Sequence, residues 1–145
     1  MNLVSVYDVM DASPQPIRVL YQLLEERPPK NFISHNQMPT FEEHERFVRG
    51  RPFLHWLLIE NEGTYIGAIE ALPTNEFGIA MLKQAQGRGL GTEALRLFFS
   101  LIKPQPAIPA VRHGKWLANV SPYNHSGRRF FEKFGFVKIQ ETYAL

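Results

Sequence analysis

The residues of this 145-residue chain best placed to do chemistry are nine in a row, Gln84-Ala85-Gln86-Gly87-Arg88-Gly89-Leu90-Gly91-Thr92. Three glycines at alternate positions permit a tight turn whose backbone N–H groups converge on one point. Leu90, Ala94, Leu97, Phe98 and Leu101 then recur at helical spacing, so the turn opens an amphipathic helix. The positive end of that helix faces the same point, and a pyrophosphate is its natural guest, with Arg88 adding a mobile charge. The competing use of the glycines is purely steric, a close connection between strand and helix.

Two familiar phosphate motifs do not fit. A P-loop needs Lys after its last glycine, and Thr92 stands there. Gly89-Leu90-Gly91-Thr92-Glu93-Ala94 matches G-x-G-x-x-A in form, but a dinucleotide site needs a ribose-binding acid about 20 residues on. No Asp or Glu occurs between Glu93 and Glu132. Nicotinamide and flavin dinucleotides are set aside.

The elements that must position the turn read as follows. Residues 3–9 form a β-branched strand. Ser13-Pro14 announces a helix carrying Ile17, Leu20, Tyr21 and Leu24, ended by Arg27-Pro28-Pro29. After a proline-marked loop over 28–39, Thr40-Phe41-Glu42-Glu43 has the spacing of a capping box and opens a helix to about Arg49. Phe53–Glu60 and Thr64–Leu72 are strands joined at Asn61-Glu62-Gly63, and Pro73-Thr74-Asn75 turns into a third strand, Glu76–Lys83. Beyond the helix over 90–102 come a loop (104–109), a strand (115–120), a helix (126–134) and a last strand (136–143). The order β-α-α-β-β-β-α-β-α-β describes an α+β domain around a mixed sheet, with strands 76–83 and 115–120 parallel.

Composition bounds the function. One domain, residues 1–145, suits the length, and scaling gives about 7,600 Å² of folded surface. The chain has no Cys, which removes disulfides, Cys-ligated zinc, iron–sulfur clusters and a thiol nucleophile, and favours the cytoplasm. No apolar run spans a bilayer and no signal-peptide pattern opens the chain. Residues 1–72 carry ten acids against six Lys and Arg, whereas residues 94–131 carry no acid and Arg96, Lys103, Arg112, Lys115, Arg128 and Arg129. That basic half either meets a polyanion or is a solvated face. RNA is a weak reading, because the aromatics there keep helical core spacing and form no strand-borne stacking row.

Gln86-Gly87-Arg88-Gly89-Leu90-Gly91 resembles the Gln/Arg-x-x-Gly-x-Gly/Ala signature of the GNAT superfamily of acyl-CoA-dependent N-acetyltransferases. A second block, Asn124-His125-Ser126-Gly127-Arg128-Arg129-Phe130-Phe131-Glu132-Lys133-Phe134-Gly135-Phe136, is similar to that family's Asn-x-x-Ala-x-x-Leu-Tyr-Glu-Lys-x-Gly-Phe segment. Glu76-Phe77-Gly78-Ile79 resembles the Glu-Ile-Gly-Tyr strand of the ribosomal-protein N-terminal acetyltransferases. The element order agrees too, so the resemblance covers nearly the whole chain.

The resemblance implies a GNAT-like fold, a mixed central sheet with splayed parallel strands flanked by helices, and acetyl-CoA as co-substrate without a metal. A bulge near Met81, Leu82 and Lys83 would free N–H groups for the thioester and pantetheine. Gln86, Gly87, Arg88, Gly89, Leu90, Gly91 and Thr92 would hold the diphosphate; Asn119, Asn124 and Ser126 would meet pantetheine amides or phosphate, and Arg128 or Arg129 the CoA phosphates. An amine with a pKa near ~10 must lose a proton before attack. Glu76 is the expected base, Glu70 the second candidate, and either could instead be a solvated strand-end carboxylate.

Phe131 stands where the family often has a Tyr that protonates the departing sulfur. Tyr123 or Ser121 would have to substitute, or the thiolate leaves unassisted. Phe131 could also be core, although Phe130 and Phe134 already supply an apolar i, i+4 pair. The loop over 31–39 forms one wall of the acceptor cleft in this family, with His35 a candidate contact. The expected reaction is acetyl transfer to a primary amine, on a small molecule such as an amino sugar or amino-acid-like metabolite. A protein N-terminus and a non-catalytic CoA-binding module are the alternatives. No nucleic-acid or membrane partner is expected; a homodimer is one way the sheet edge after residues 136–143 could be covered.

Overall fold

The computed structural model describes residues 1–31 and 37–145, so His35 lies outside the described residues. Five strands form one mixed sheet in sequential order: β1 (Asn2–Ser5), β2 (His55–Asn61), β3 (Thr64–Ala71), β4 (Glu76–Met81) and β5 (Leu117–Ala118). Strands β1 to β4 pair antiparallel; β4 and β5 are parallel, as the crossover through a helix requires. Glu62 and Gly63 connect β2 to β3 with φ of 51° and 75°. That two-residue turn has the left-handed geometry that matches the twist of a hairpin.

The two faces of the sheet bury different helices. On one, Trp56, Leu58 and Ala68 pack with α2 (Gln15–Glu26) through Ile17, Leu20 and Leu23, and with α3 (Phe41–Arg49) through Val48. On the other, Leu57, Ile59, Ile69 and Phe77 pack with α4 (Leu90–Leu101) through Ala94, Leu95 and Phe98. Partly buried Phe130, Phe131 and Phe134 of α5 (His125–Phe134) close that second core. Side chains alternate along a strand, so this division fixes which face the residues of β4, and those of β3 from Gly67 onward, present.

The expected capping box at the start of α3 is present: Glu43 N–H donates to Thr40 Oγ1 and Thr40 N–H to Glu43 Oε2, both at 3.2 Å. Other boundaries differ from expectation. The first strand stops at Ser5, and Val6–Val9 make one helical turn, α1, because Val6 and Met10 both drop into the core and Tyr7 reaches across to Phe53. The strand expected over 115–120 pairs only at Leu117 and Ala118. Residues 136–143 form no strand; beyond Phe136 they are exposed, Val137 at 81 % and Tyr143 at 86 %. Their alternating pattern is strand-like, but alternation cannot supply an edge to pair with. With that tail and the 104–114 loop lying outward, the accessible surface is 9463 Å².

Candidate active site

The pairing of β4 decides what its backbone can bind. Its partners on β3 keep one register from Ala71↔Phe77 to Gly67↔Met81, and Leu82 N–H continues it to Ile66 C=O at 2.9 Å. The expected bulge at Met81–Lys83 is therefore not there; the irregularity lies between β2 and β3, at Ile59/Glu60. Leu82 N–H faces β3, so by alternation the N–H groups of Gly78 and Ala80 do too, and those of Ile79 and Met81 point the other way. On that other side the β4–β5 ladder ends at Phe77↔Ala118. Ile79 and Met81 thus present backbone N–H groups to a gap that opens between the two parallel strands. Ile79 was not among the residues expected from the sequence; its signal is the register, which no local pattern contains.

Leu82 and Lys83 are engaged elsewhere. Lys83 N–H donates to Glu26 Oε2 at 2.7 Å, tying the end of α2 to the start of the glycine turn. Gln86 braces the turn from inside, its Nε2 donating to Met81 C=O at 2.9 Å. Gly87 and Gly89 have φ of 73° and 76°, left-handed values that cost any residue with a Cβ. Gly89 is the N-cap of α4 and gives no side-chain cap, so the first N–H groups of the helix, on Leu90, Gly91 and Thr92, keep their donors turned toward the approach. Gly91 is different: a methyl there would meet Met81 Cγ and the Phe130 ring at 3.7 Å, ordinary contact. Arg88 is exposed at the apex. Turn, helix end and gap are contiguous, and together they can hold a diphosphate joined to an extended amide-bearing arm.

The profile of the acetyltransferase (GNAT) family matches residues 17–136. The chain belongs to the GNAT acetyltransferase family. A search of curated proteins found no match. Among solved structures, this GNAT chain is similar to an acetyltransferase from Thermus thermophilus, with 20% identity, TM-score 0.67, covering 97% of this chain and 88% of that one. It is similar to a spermidine N-acetyltransferase SpeG chimera from Vibrio cholerae and hSSAT (18%, TM-score 0.63, 97% and 84%). It also resembles RimL, a ribosomal L7/L12 α-N-protein acetyltransferase solved with coenzyme A (16%, TM-score 0.60, 92% and 78%). At these identities the structures share the fold, and the family makes the chain an acyltransferase.

Both candidate carboxylates of the GNAT domain stand on the α2–α3 face. Glu76 opens β4, and Asn119, just past β5, donates to its Oε2 from Nδ2 at 3.0 Å. Glu70 sits opposite Gly78 across the β3–β4 ladder and next to Trp56 of β2. Burial raises its pKa above the usual carboxylate range, and the positive charge of Arg27 only partly offsets this.

Other expected residues have structural duties. Asn124 caps α5, its Oδ1 accepting from Gly127 N–H at 2.9 Å and from Ser126 Oγ at 3.2 Å. A methyl at Gly127 would press on the Asn124 amide, so the family's Ala at this position needs a small shift of that side chain. Phe131 points into the second core, with ring centroids 5.9 Å from Phe77 and 5.4 Å from Phe136. So Phe131, partly buried, packs against the core, and Phe130 is the aromatic that a Cβ on Gly91 would meet. Tyr123 is exposed and Ser121 buried. Arg128 and Arg129 are exposed on α5, whereas Arg112 holds the carbonyls of Pro106 and Pro73.

No local pattern announces Asn75 as a site-building residue. Fully buried, with φ of 69°, its Nδ2 donates to Gln105 C=O (2.9 Å) and His113 C=O (2.6 Å), and its Oδ1 accepts from Gln105 N–H (2.7 Å). Its own C=O accepts from Leu117 N–H at 2.9 Å, which anchors β5 beside β4. A concavity of about 450 Å³ lies on the outer side of α2, lined by Arg18, Tyr21, Gln22, Glu25 and Phe41, and holds none of the expected cofactor residues. No helix among the described residues is long and apolar enough to cross a membrane, and no three His, Cys, Asp or Glu among them gather as a metal site.

Proposed function

We propose that this chain transfers the acetyl group of acetyl-CoA to a primary amine of a small molecule, an amino sugar or amino-acid-like compound. The observation that carries the reading is two neighbouring sets of outward donors, on Ile79 and Met81 beyond the β5 pairing and on the first turn of α4. Ile79 and Met81 bind the thioester carbonyl and pantetheine as a neighbouring strand would. Gly87 to Thr92 receive the diphosphate, with Arg88 and Arg129 at its edge; Leu82, Lys83 and Gln86 shape that turn. Asn119, Asn124 and Ser126 line the far strand and the start of α5.

The amine enters on the face carrying Glu76 and Glu70. Glu76 meets it at the mouth, oriented by Asn119. The amine nitrogen attacks the thioester carbon directly, and backbone N–H groups stabilise the charge that develops on oxygen. With Phe131 in the core, the sulfur departs as thiolate, tolerable for a thiol of pKa near ~8.5. A chain without Cys suits a reaction in the reducing cytoplasm.

The test is calorimetry with acetyl-CoA followed by thiol release on a panel of amines and N-terminal peptides. Micromolar binding and turnover with small amines support the reading. Turnover with peptides alone moves the acceptor to a protein N-terminus. Binding with no turnover on any amine overturns the enzymatic reading.

A further inference from the structure

Glu70 was the lesser of two carboxylates in the sequence, yet its surroundings single it out. It belongs to the face of the sheet that meets α2 and α3, as do Trp56, Ala68, Gly78 and Ala80. Its carboxylate lies over the backbone of Gly78 so closely that a methyl group there would collide with it. The peptide leaving Gly78 is the one whose N–H, on Ile79, faces the gap between β4 and β5. A carboxylate over the face of the sheet and an outward N–H in its plane thus meet at a single peptide unit. Glu76 is two residues away on the same face, a diagonal neighbour some 7–8 Å off by backbone spacing. Arg27, at the end of α2, is the cation that faces Glu70; Trp56, its neutral neighbour on β2, packs against His44 of α3.

We infer that Glu70, seated in the space Gly78 leaves, is the group that takes the proton from the acceptor ammonium. The inference rests on the transferase reading above and names the base within it. Glu70 removes one proton from R–NH3⁺ and becomes a neutral acid. The free amine attacks the thioester carbon, the C–N bond forms, and the C–S bond breaks with its electron pair leaving on sulfur. The second nitrogen proton passes through water to the thiolate, giving CoA–SH, and Glu70 returns its proton to solvent. Burial suits it to the task, because a carboxyl held above its usual range stays a stronger base once ionised. Gly78 then has a reason beyond strand geometry: it keeps the space in which the carboxylate lies.

The test uses the intact chain, acetyl-CoA and the best amine found. Glu70→Gln should lower kcat/KM at neutral pH by ~100-fold or more. That deficit should shrink as pH rises toward the amine's own pKa of ~10, where the base is no longer needed. Gly78→Ala should keep its melting temperature within a few degrees, since only the end of a flexible side chain must move, yet show a similar deficit and the same recovery. The Glu70→Gln/Gly78→Ala double variant should be no slower than the worse single one. A Glu70→Gln loss that is constant across pH, or losses that multiply in the double variant, overturns the assignment of the base alone. A wild-type chain that binds acetyl-CoA but releases no thiol overturns the transferase reading and this inference with it.

Discussion

Asn119 donates to Glu76 across 3.0 Å, so the residue after β5 grips the first residue of β4. The bond sits at the closed end of the gap, beside the only two register pairs the parallel strands share among the described residues. Beyond them Ile79 and Met81 run on with their outward N–H groups past the end of the β5 pairing. Asn119→Ala should leave the fold intact, costing about 1 kcal/mol or less for an exposed bond. It should raise KM for the amine more than it lowers kcat, because Glu76 loses its orientation; steady-state kinetics with both substrates varied read this directly.

Gly89→Ala and Gly91→Ala separate backbone strain from the mere addition of a methyl. Gly89 is left-handed, so alanine there costs roughly 1–2 kcal/mol and shifts the first N–H groups of α4. Gly91 is helical and has room for a methyl, so alanine should hold or raise the melting temperature. That methyl would face Met81 and Phe130, and the family signature accepts Ala at this position. Calorimetry should therefore show Gly89→Ala binding acetyl-CoA at least ~10-fold more weakly, and Gly91→Ala binding within a few-fold of the wild type.

Asn75→Asp replaces two buried donated hydrogen bonds with a buried negative charge among carbonyl oxygens. The expected loss is roughly 3 kcal/mol or more, read by chemical denaturation. Asn75→Gly keeps the turn but loses the same bonds, and should be nearly as unstable. In both, β5 loosens from β4, so acetyl-CoA affinity falls with stability.

His44 is 4 % exposed among Tyr21, Phe47 and Trp56, and its Nε2 has no partner among the described residues. Burial lowers its pKa below 6.5. Above that value the ring is neutral in both folded and unfolded chains and stability is unaffected. As pH falls below it, the unfolded chain takes up a proton that the folded one resists, and stability declines. His44→Phe should remove this decline: thermal melts at pH 7.5 and pH 5 should differ less than in the wild type.

What the sequence revealed was local. Thr40 and Glu43 announce their cap because four consecutive residues make it, and Gly87 and Gly89 mark the cofactor turn because only glycine suits that backbone. What it hid was set by partners distant in the chain. Val6 leaves the strand pattern because the core under α2 claims it, and residues 136–143 keep a strand's alternation with no edge to use. Phe131 turned inward because Phe77 and Phe136 receive it, although the i, i+4 pair beside it looked sufficient. Ile79 and Asn75 carry no motif at all. One is defined by where a ladder stops, the other by carbonyls 30 and 38 residues away.

The central claim is that backbone N–H groups of the β4 edge and of the glycine turn together hold coenzyme A. The most direct measurement is an amide 15N–1H titration of the labelled chain with CoA. The account predicts saturable shifts concentrated at Ile79, Met81 and Gly87 to Thr92, with Leu82 and Lys83, whose N–H groups already have partners, moving less. Shifts scattered over the basic surface of Arg96, Lys103 and Lys115, with the glycine turn unmoved at saturating CoA, would contradict it.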